Sequence, residues 1–106
     1  MRVLFDQGTP APLRTMLGDH VVETAYECGW SMLKNGDLLN AAESAGFAVL
    51  VTTDMQLRYQ QNLANRHIAI VVLTTTSWPR IRAVRDAVSR AVDGAAEQRY
   101  IEVLIP

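Results

Sequence analysis

Gly46-Phe47-Ala48-Val49-Leu50-Val51-Thr52-Thr53-Asp54 reads as a glycine, a short apolar run and an acid, and it decides the fold. The run is too short for a helix of its own and has no polar residue before Thr52, which predicts a buried strand over Ala48–Thr52. Strands buried on both faces belong to parallel sheets covered by helices. Gly46 sits where a helix C-terminal cap belongs. The helix it closes runs from Asn35, read as the N-cap, to about Ala45, with Leu38, Ala41, Ala42 and Ala45 on one face.

Working outward, Val3-Leu4-Phe5 stops at Asp6, and Ile70-Val71-Val72-Leu73 stops at Thr74-Thr75-Thr76. A strand over Arg2–Asp6 precedes Gly8-Thr9-Pro10, with Thr9 as N-cap and Pro10 opening a short helix to about Leu17. His20-Val21-Val22-Glu23 begins a second strand, and Ala25–Met32 follows without a clear assignment. Met55–Asn62 reads as a short helix and His67–Leu73 as a buried strand. Trp78-Pro79 opens a helix with Ile81, Val84, Val88 and Ala91 as its core stripe and Gly94 as its stop. Tyr100–Ile105 is the last strand. Alternating strands and helices predict a three-layer α/β/α sandwich on a mostly parallel sheet of about five strands, with right-handed crossovers.

At 106 residues and 49% hydrophobic, the chain fits one domain spanning residues 1–106. Ten Lys plus Arg face eleven Asp plus Glu, so any nucleic-acid contact comes from a local patch and not from a global basic field. Nine of those ten cations are arginine, whose fork matches phosphate oxygens and which also accompanies GC-rich coding. Cys28 is the only cysteine, which excludes an intrachain disulfide and a multi-cysteine zinc site and fits a reducing cytoplasm. No apolar run approaches the roughly 18 residues of a membrane span, and the N-terminus lacks a signal-peptide pattern. The expected location is cytoplasmic, without membrane attachment.

In an open parallel sheet, neighbouring strands deliver their carboxyl ends to one rim, where ligands bind. Asp6 and Asp54 therefore meet there despite their distance in sequence. Two carboxylates at ~4 Å repel by roughly 4 kcal/mol at an effective dielectric near 20, so a converging pair shares a proton, finds cations or recruits a metal. A hard cation such as Mg²⁺ resolves this with few carboxylates plus water, and orients phosphate oxygens for in-line attack. The competing reading makes Asp6 a hydrogen-bond acceptor in the turn after the first strand and Asp54 an N-cap. Asn35 as a cap and Asp37 as a complement to the helix dipole have full structural explanations, and Glu23 or Glu27 approaches the same rim or is simply solvated. Thr74, Thr75, Thr76 and Ser77 supply hydroxyls there for a water or for capping.

Other chemistries lack their residues: there is no G-x-S-x-G elbow, phosphate-binding glycine loop or G-x-G-x-x-G fingerprint. His20 and His67 begin strands and so lie at the opposite end of the sheet. Cys28 reads as a small buried apolar group. Arg58, Arg80 and Arg82 are candidate phosphate contacts or members of solvated helix faces.

The order of strand-Asp6, the Asn35-Gly36-Asp37-Leu38-Leu39 helix start and Val49-Leu50-Val51-Thr52-Thr53-Asp54 resembles the compact PIN-like proteins regarded as toxin nucleases of prokaryotic toxin–antitoxin systems. The similarity covers nearly the whole chain. It implies a ribonuclease dependent on Mg²⁺ or Mn²⁺, restrained by an antitoxin protein. Asp6 and Asp54 would be metal ligands, Asp37 a third catalytic acid, and Asn35, Glu27 and Thr74 auxiliary groups. Relatives often have Asp where Asn35 stands, Asn where Gly8 stands, and a further acid after the fourth strand. These departures frame the alternative, a catalytically degenerate module that binds RNA or a protein partner. Ile101–Ile105 at a sheet edge would pair with an antitoxin segment or with a second copy in a homodimer. A phosphoryl-accepting domain is a third reading, though Asp6 lacks the second Asp two residues on that such sites use.

Overall fold

In the computed structural model, which describes residues 1–106, the strands are β1 (Arg2–Phe5), β2 (Val21–Thr24), β3 (Val49–Thr52), β4 (Ala69–Leu73) and β5 (Tyr100–Val103). All pair in parallel, in the order β2-β1-β3-β4-β5. The α-helices are α1 (Asn35–Ser44), α2 (Leu57–Gln60), α3 (Trp78–Ala83) and α4 (Arg85–Gln98), and a 3-10 helix covers Ala11–Met16. No helix is long and apolar enough to cross a membrane.

Successive strand side chains point to opposite faces, so the apolar runs feed two cores at once. On one face Val3, Phe5, Val49, Val51, Val71 and Leu73 pack with Leu13 and Leu17 around the 3-10 helix, Ile81 of α3, and Val88, Val92 and Ala95 of α4. On the other, Leu4, Leu50, Ile70 and Val72 pack with Leu38, Leu39 and Ala42 of α1 and Leu57 of α2. The result is the expected three-layer sandwich, with β3 and β4 buried along their whole length. Helix α1 ends as its sequence dictates. Gly46 adopts φ +85°, its N–H bonds the carbonyl of Glu43 at 3.1 Å and Phe47 N–H bonds that of Ala42 at 3.0 Å, a closure that favours glycine.

Several local expectations fail. Asn35 is not the N-cap but the first helical residue, at φ +49°, and Lys34 precedes it as cap without a side-chain bond. Thr9 caps nothing; Pro10 precedes the 3-10 helix, and the Thr9 hydroxyl turns inward instead. The helix opened by Trp78 breaks at Val84, whose φ −117° and ψ 28° separate α3 from α4. Gly94 does not stop α4, because Val92 and Ala95 on either side are fully buried and hold the helix on the sheet past it. β5 ends at Val103, short of Ile105.

The crossovers are not all of one hand. The steps from β2 to β3 and from β3 to β4 pass over the Leu4 face through α1 and α2, but the step from β4 to β5, in the same direction along the sheet, passes over the Val3 face through α3 and α4. The last crossover therefore has the opposite hand to the two before it. The Val3 face would otherwise be covered only by the six-residue 3-10 helix, and the fourteen residues of α4 close it.

Candidate active site

The strand order reverses direction between β1 and β3, and the chain leaves these two strands towards opposite faces: to the 3-10 helix on one side and to α2 on the other. Such a switch point opens a crevice at the carboxyl ends of the two strands. Asp6 follows β1 directly and Asp54 follows β3 by two residues. Both line a cavity of about 210 Å³ there, floored by Leu38, Leu50 and Leu57 and walled by Gln7, Thr52, Lys34 and Asn35.

Asp6 is held from three sides. Its Oδ1 accepts the Thr9 N–H at 3.1 Å and lies 2.8 Å from the Thr9 hydroxyl, and its Oδ2 accepts the Thr52 hydroxyl. Thr52 Oγ1 in turn accepts the Asp54 N–H at 3.0 Å. One buried threonine thus ties the backbone of one acid to the carboxylate of the other. Burial pushes the Asp6 carboxyl above its ordinary value, and the bonds from Thr52 and Thr9 pull the other way without cancelling it. Asp54 is not the N-cap of α2, a place that Gln56 takes without a side-chain bond; its Oδ1 accepts the Gln56 N–H at 2.9 Å in the turn that leads into the helix.

At position 8 a Cβ would overlap Thr53 Oγ1, so a larger residue there would have to turn the Thr53 side chain aside. Gln7 donates its side-chain amide to the Ser31 carbonyl and fixes the loop that forms the opposite wall.

The other expected site residues are placed elsewhere. Asp37 is exposed and does not line the cavity, because it sits about 200° around the helix axis from Asn35, which does. Glu27 lines a neighbouring open groove of about 740 Å³ that shares the Asp6–Gly8 wall. It pairs with Arg14 at 2.8 Å, and this bond and the Thr24 N–H hold its carboxyl below the usual value. Thr74 spends its hydroxyl on the Ile105 N–H at 2.8 Å, outside the cavity. Arg58 pairs with Glu102 at 3.2 Å and lies over the Tyr59 ring, and neither it nor Arg80 nor Arg82 lines the cavity. The cation that does is Lys34, which the sequence reading passed over although it is the only lysine and stands beside the helix start at the rim.

No family model, curated protein or solved structure matches the chain. The site's chemistry is therefore read from its own atoms. No group of three or more His, Cys, Asp or Glu side chains gathers in the molecule, and the cavity is lined by two carboxylates, Asp6 and Asp54. That donor set fits Mg²⁺ or Mn²⁺. Both are met by oxygen ligands, and Mg²⁺ in particular binds through one or two carboxylates with water and phosphate completing its shell. At ~30 Å³ per water the cavity has room for several. Cys28 has its thiol pushed up by burial and by the neighbouring Glu23, which makes it a poor nucleophile.

The Thr52 bridge carries a prediction of its own. Thr52→Val keeps the side-chain shape but leaves Asp6 Oδ2 and the Asp54 N–H without their common partner, at a cost of about 1–3 kcal/mol. Urea unfolding of the two proteins measures this. The same substitution removes the strongest hydrogen bond favouring ionised Asp6, so the carboxyl rises further.

Proposed function

We propose that this chain is a metal-dependent endoribonuclease of PIN-like type, acting as the toxin of a toxin–antitoxin pair. The supporting observation is the convergence of Asp6 and Asp54 on one cavity at the β1/β3 switch point. Asp6 and Asp54 would hold Mg²⁺ or Mn²⁺. When bound, the ion supplies an activated water for attack on the RNA phosphodiester and offsets phosphate charge.

The chain's own contribution is positional. The Thr52 and Thr9 bonds lock the Asp6 carboxylate before any ligand arrives, which lowers the ordering cost of binding. Because burial raises the Asp6 carboxyl, metal and proton compete for it, and cutting rises as the pH passes upward through its titration. The exposed end of the sheet at β5, with Leu104 80% exposed beside it, is the edge offered to an antitoxin segment or to a second copy in a homodimer.

A second reading has one observation in its favour. Only two carboxylates meet, and Asp6 is already satisfied by protein donors, which suits a degenerate module that binds RNA or a protein partner without cutting.

The deciding experiment is RNA cleavage by purified protein with Mn²⁺, with EDTA, and with the Asp6→Asn, Asp54→Asn double variant in parallel. Metal-dependent cutting that disappears in the variant is the expected result. Cutting that survives in the variant would overturn the site assignment, and no cutting across several RNAs would favour the binding module.

A further inference from the structure

The acid cavity holds one cation, and that cation is unpaired. Four arginines, Arg2, Arg14, Arg58 and Arg66, are paired with glutamates, and the five that are not, Arg80, Arg82, Arg85, Arg90 and Arg99, lie outside the cavity. Lys34, the only lysine, lines the cavity with Asp6 and Asp54 and makes no ion pair within 4.0 Å. Its position is fixed by the backbone, since the Lys34 carbonyl accepts the Asp37 N–H at 3.1 Å and starts α1. The chain therefore sets a lysine in the wall of the cavity that Asp6 and Asp54 line, and pairs it with neither acid.

Charge balance gives that arrangement a purpose. Two carboxylates and one divalent ion cancel, so a phosphodiester entering the cavity would bring an uncompensated negative charge. One more cation makes the loaded site neutral. A lysine ammonium, a compact charge with three donors on a flexible stem, meets a phosphate oxygen without demanding a fixed approach.

We propose that Lys34 is the phosphate anchor of this site, holding a non-bridging phosphate oxygen of the substrate opposite Asp6 and Asp54. The inference rests on the nuclease reading and adds a residue to it. It replaces Arg58, Arg80 and Arg82, which lie outside the cavity.

A single lysine makes the test direct. Reductive methylation with ¹³C-formaldehyde labels the Lys34 amine and the Met1 α-amine and no other group. Met1 lies beside His20 at the opposite end of the sheet and serves as an internal control. With Mg²⁺ present, uridine 5′-monophosphate is expected to shift the Lys34 signal and leave that of Met1 in place, while uridine shifts neither. Lys34→Met should weaken binding of the nucleotide on the order of 10- to 100-fold, and Lys34→Arg should retain most of it. A nucleotide that moves the backbone amides of Asp6 and Asp54 but not the Lys34 methyls overturns the anchor and leaves the nuclease reading standing. If nothing moves, the anchor is overturned as well, and RNA cutting by the same preparation decides separately whether the nuclease reading falls with it.

Discussion

Asp6→Asn is expected to melt at a higher temperature than the parent protein at pH 7, and to show no metal-dependent RNA cutting. The Asp6 carboxyl is raised by burial, so the folded state binds its proton more tightly than the unfolded chain does. Where the folded state binds more protons, stability falls as pH rises. Ionisation of Asp6 therefore costs nothing well below its ordinary value of 3.8, and costs its full amount once the pH exceeds the raised folded value. Asparagine removes the charge and keeps an oxygen for the Thr9 N–H, while its amide donates to Thr52 Oγ1 and reverses that bond, turning the Thr52 hydrogen away. Thermal melts from pH 3 to pH 8 check this: the difference should be present at neutral pH and vanish towards pH 3. A variant that melts lower at every pH would make Asp6 a turn-capping residue and nothing more. Stability surrendered for a charge in a cavity is the mark of a site under functional constraint.

Phe5→Ala carries the largest expected loss of stability. Phe5 is completely buried on β1, one residue before Asp6, and packs in the core beneath the 3-10 helix and α4. Truncating a buried phenylalanine removes its transfer energy and leaves a cavity, at about 3–5 kcal/mol. The whole stability of a domain of this size is roughly 5–15 kcal/mol. The melting temperature should fall by roughly 12–40 °C, at about 4–8 °C per kcal/mol for a small domain. A urea titration with an unchanged slope and a lower midpoint would attribute the loss to the folded state. A drop of under 1 kcal/mol would mean that the core around β1 relaxes to fill the space.

The strands were legible because each is a short apolar run bounded by a polar residue, a pattern that burial on both faces forces on Val49-Leu50-Val51 and Ile70-Val71-Val72-Leu73 alike. The end of α1 was legible because only a residue tolerant of positive φ closes a helix as Gly46 does. Gly94 misled for the complementary reason: its local preference to end a helix is overridden by the burial of Val92 and Ala95 on the sheet. The break at Val84 and the opposite hand of the last crossover depend on which face lacked cover, a property of the assembled sheet that no window of sequence contains. In the site, Asp6 and Asp54 followed from strand ends alone. Thr52 as the bridge and Lys34 as the cation in the cavity wall did not, because their roles arise from neighbours that are distant in sequence. Asp37 was misplaced because two residues along a helix carry a side chain to the opposite side of the axis.

The pairing of β1 with β3 has a temporal consequence. Val3 pairs with Val49, about 46 residues later, and no strand of the sheet has a hairpin partner. Such long loops close late and slowly in folding. At a synthesis rate of about 5–20 residues per second, Asp6 emerges roughly 2–10 s before Asp54 does. During that interval the nascent chain carries one acid without its threonine, its partner acid or its crevice. Most of the cavity wall is made before residue 53, yet the site comes into being only when the third strand docks and brings Thr52 and Asp54 to Asp6.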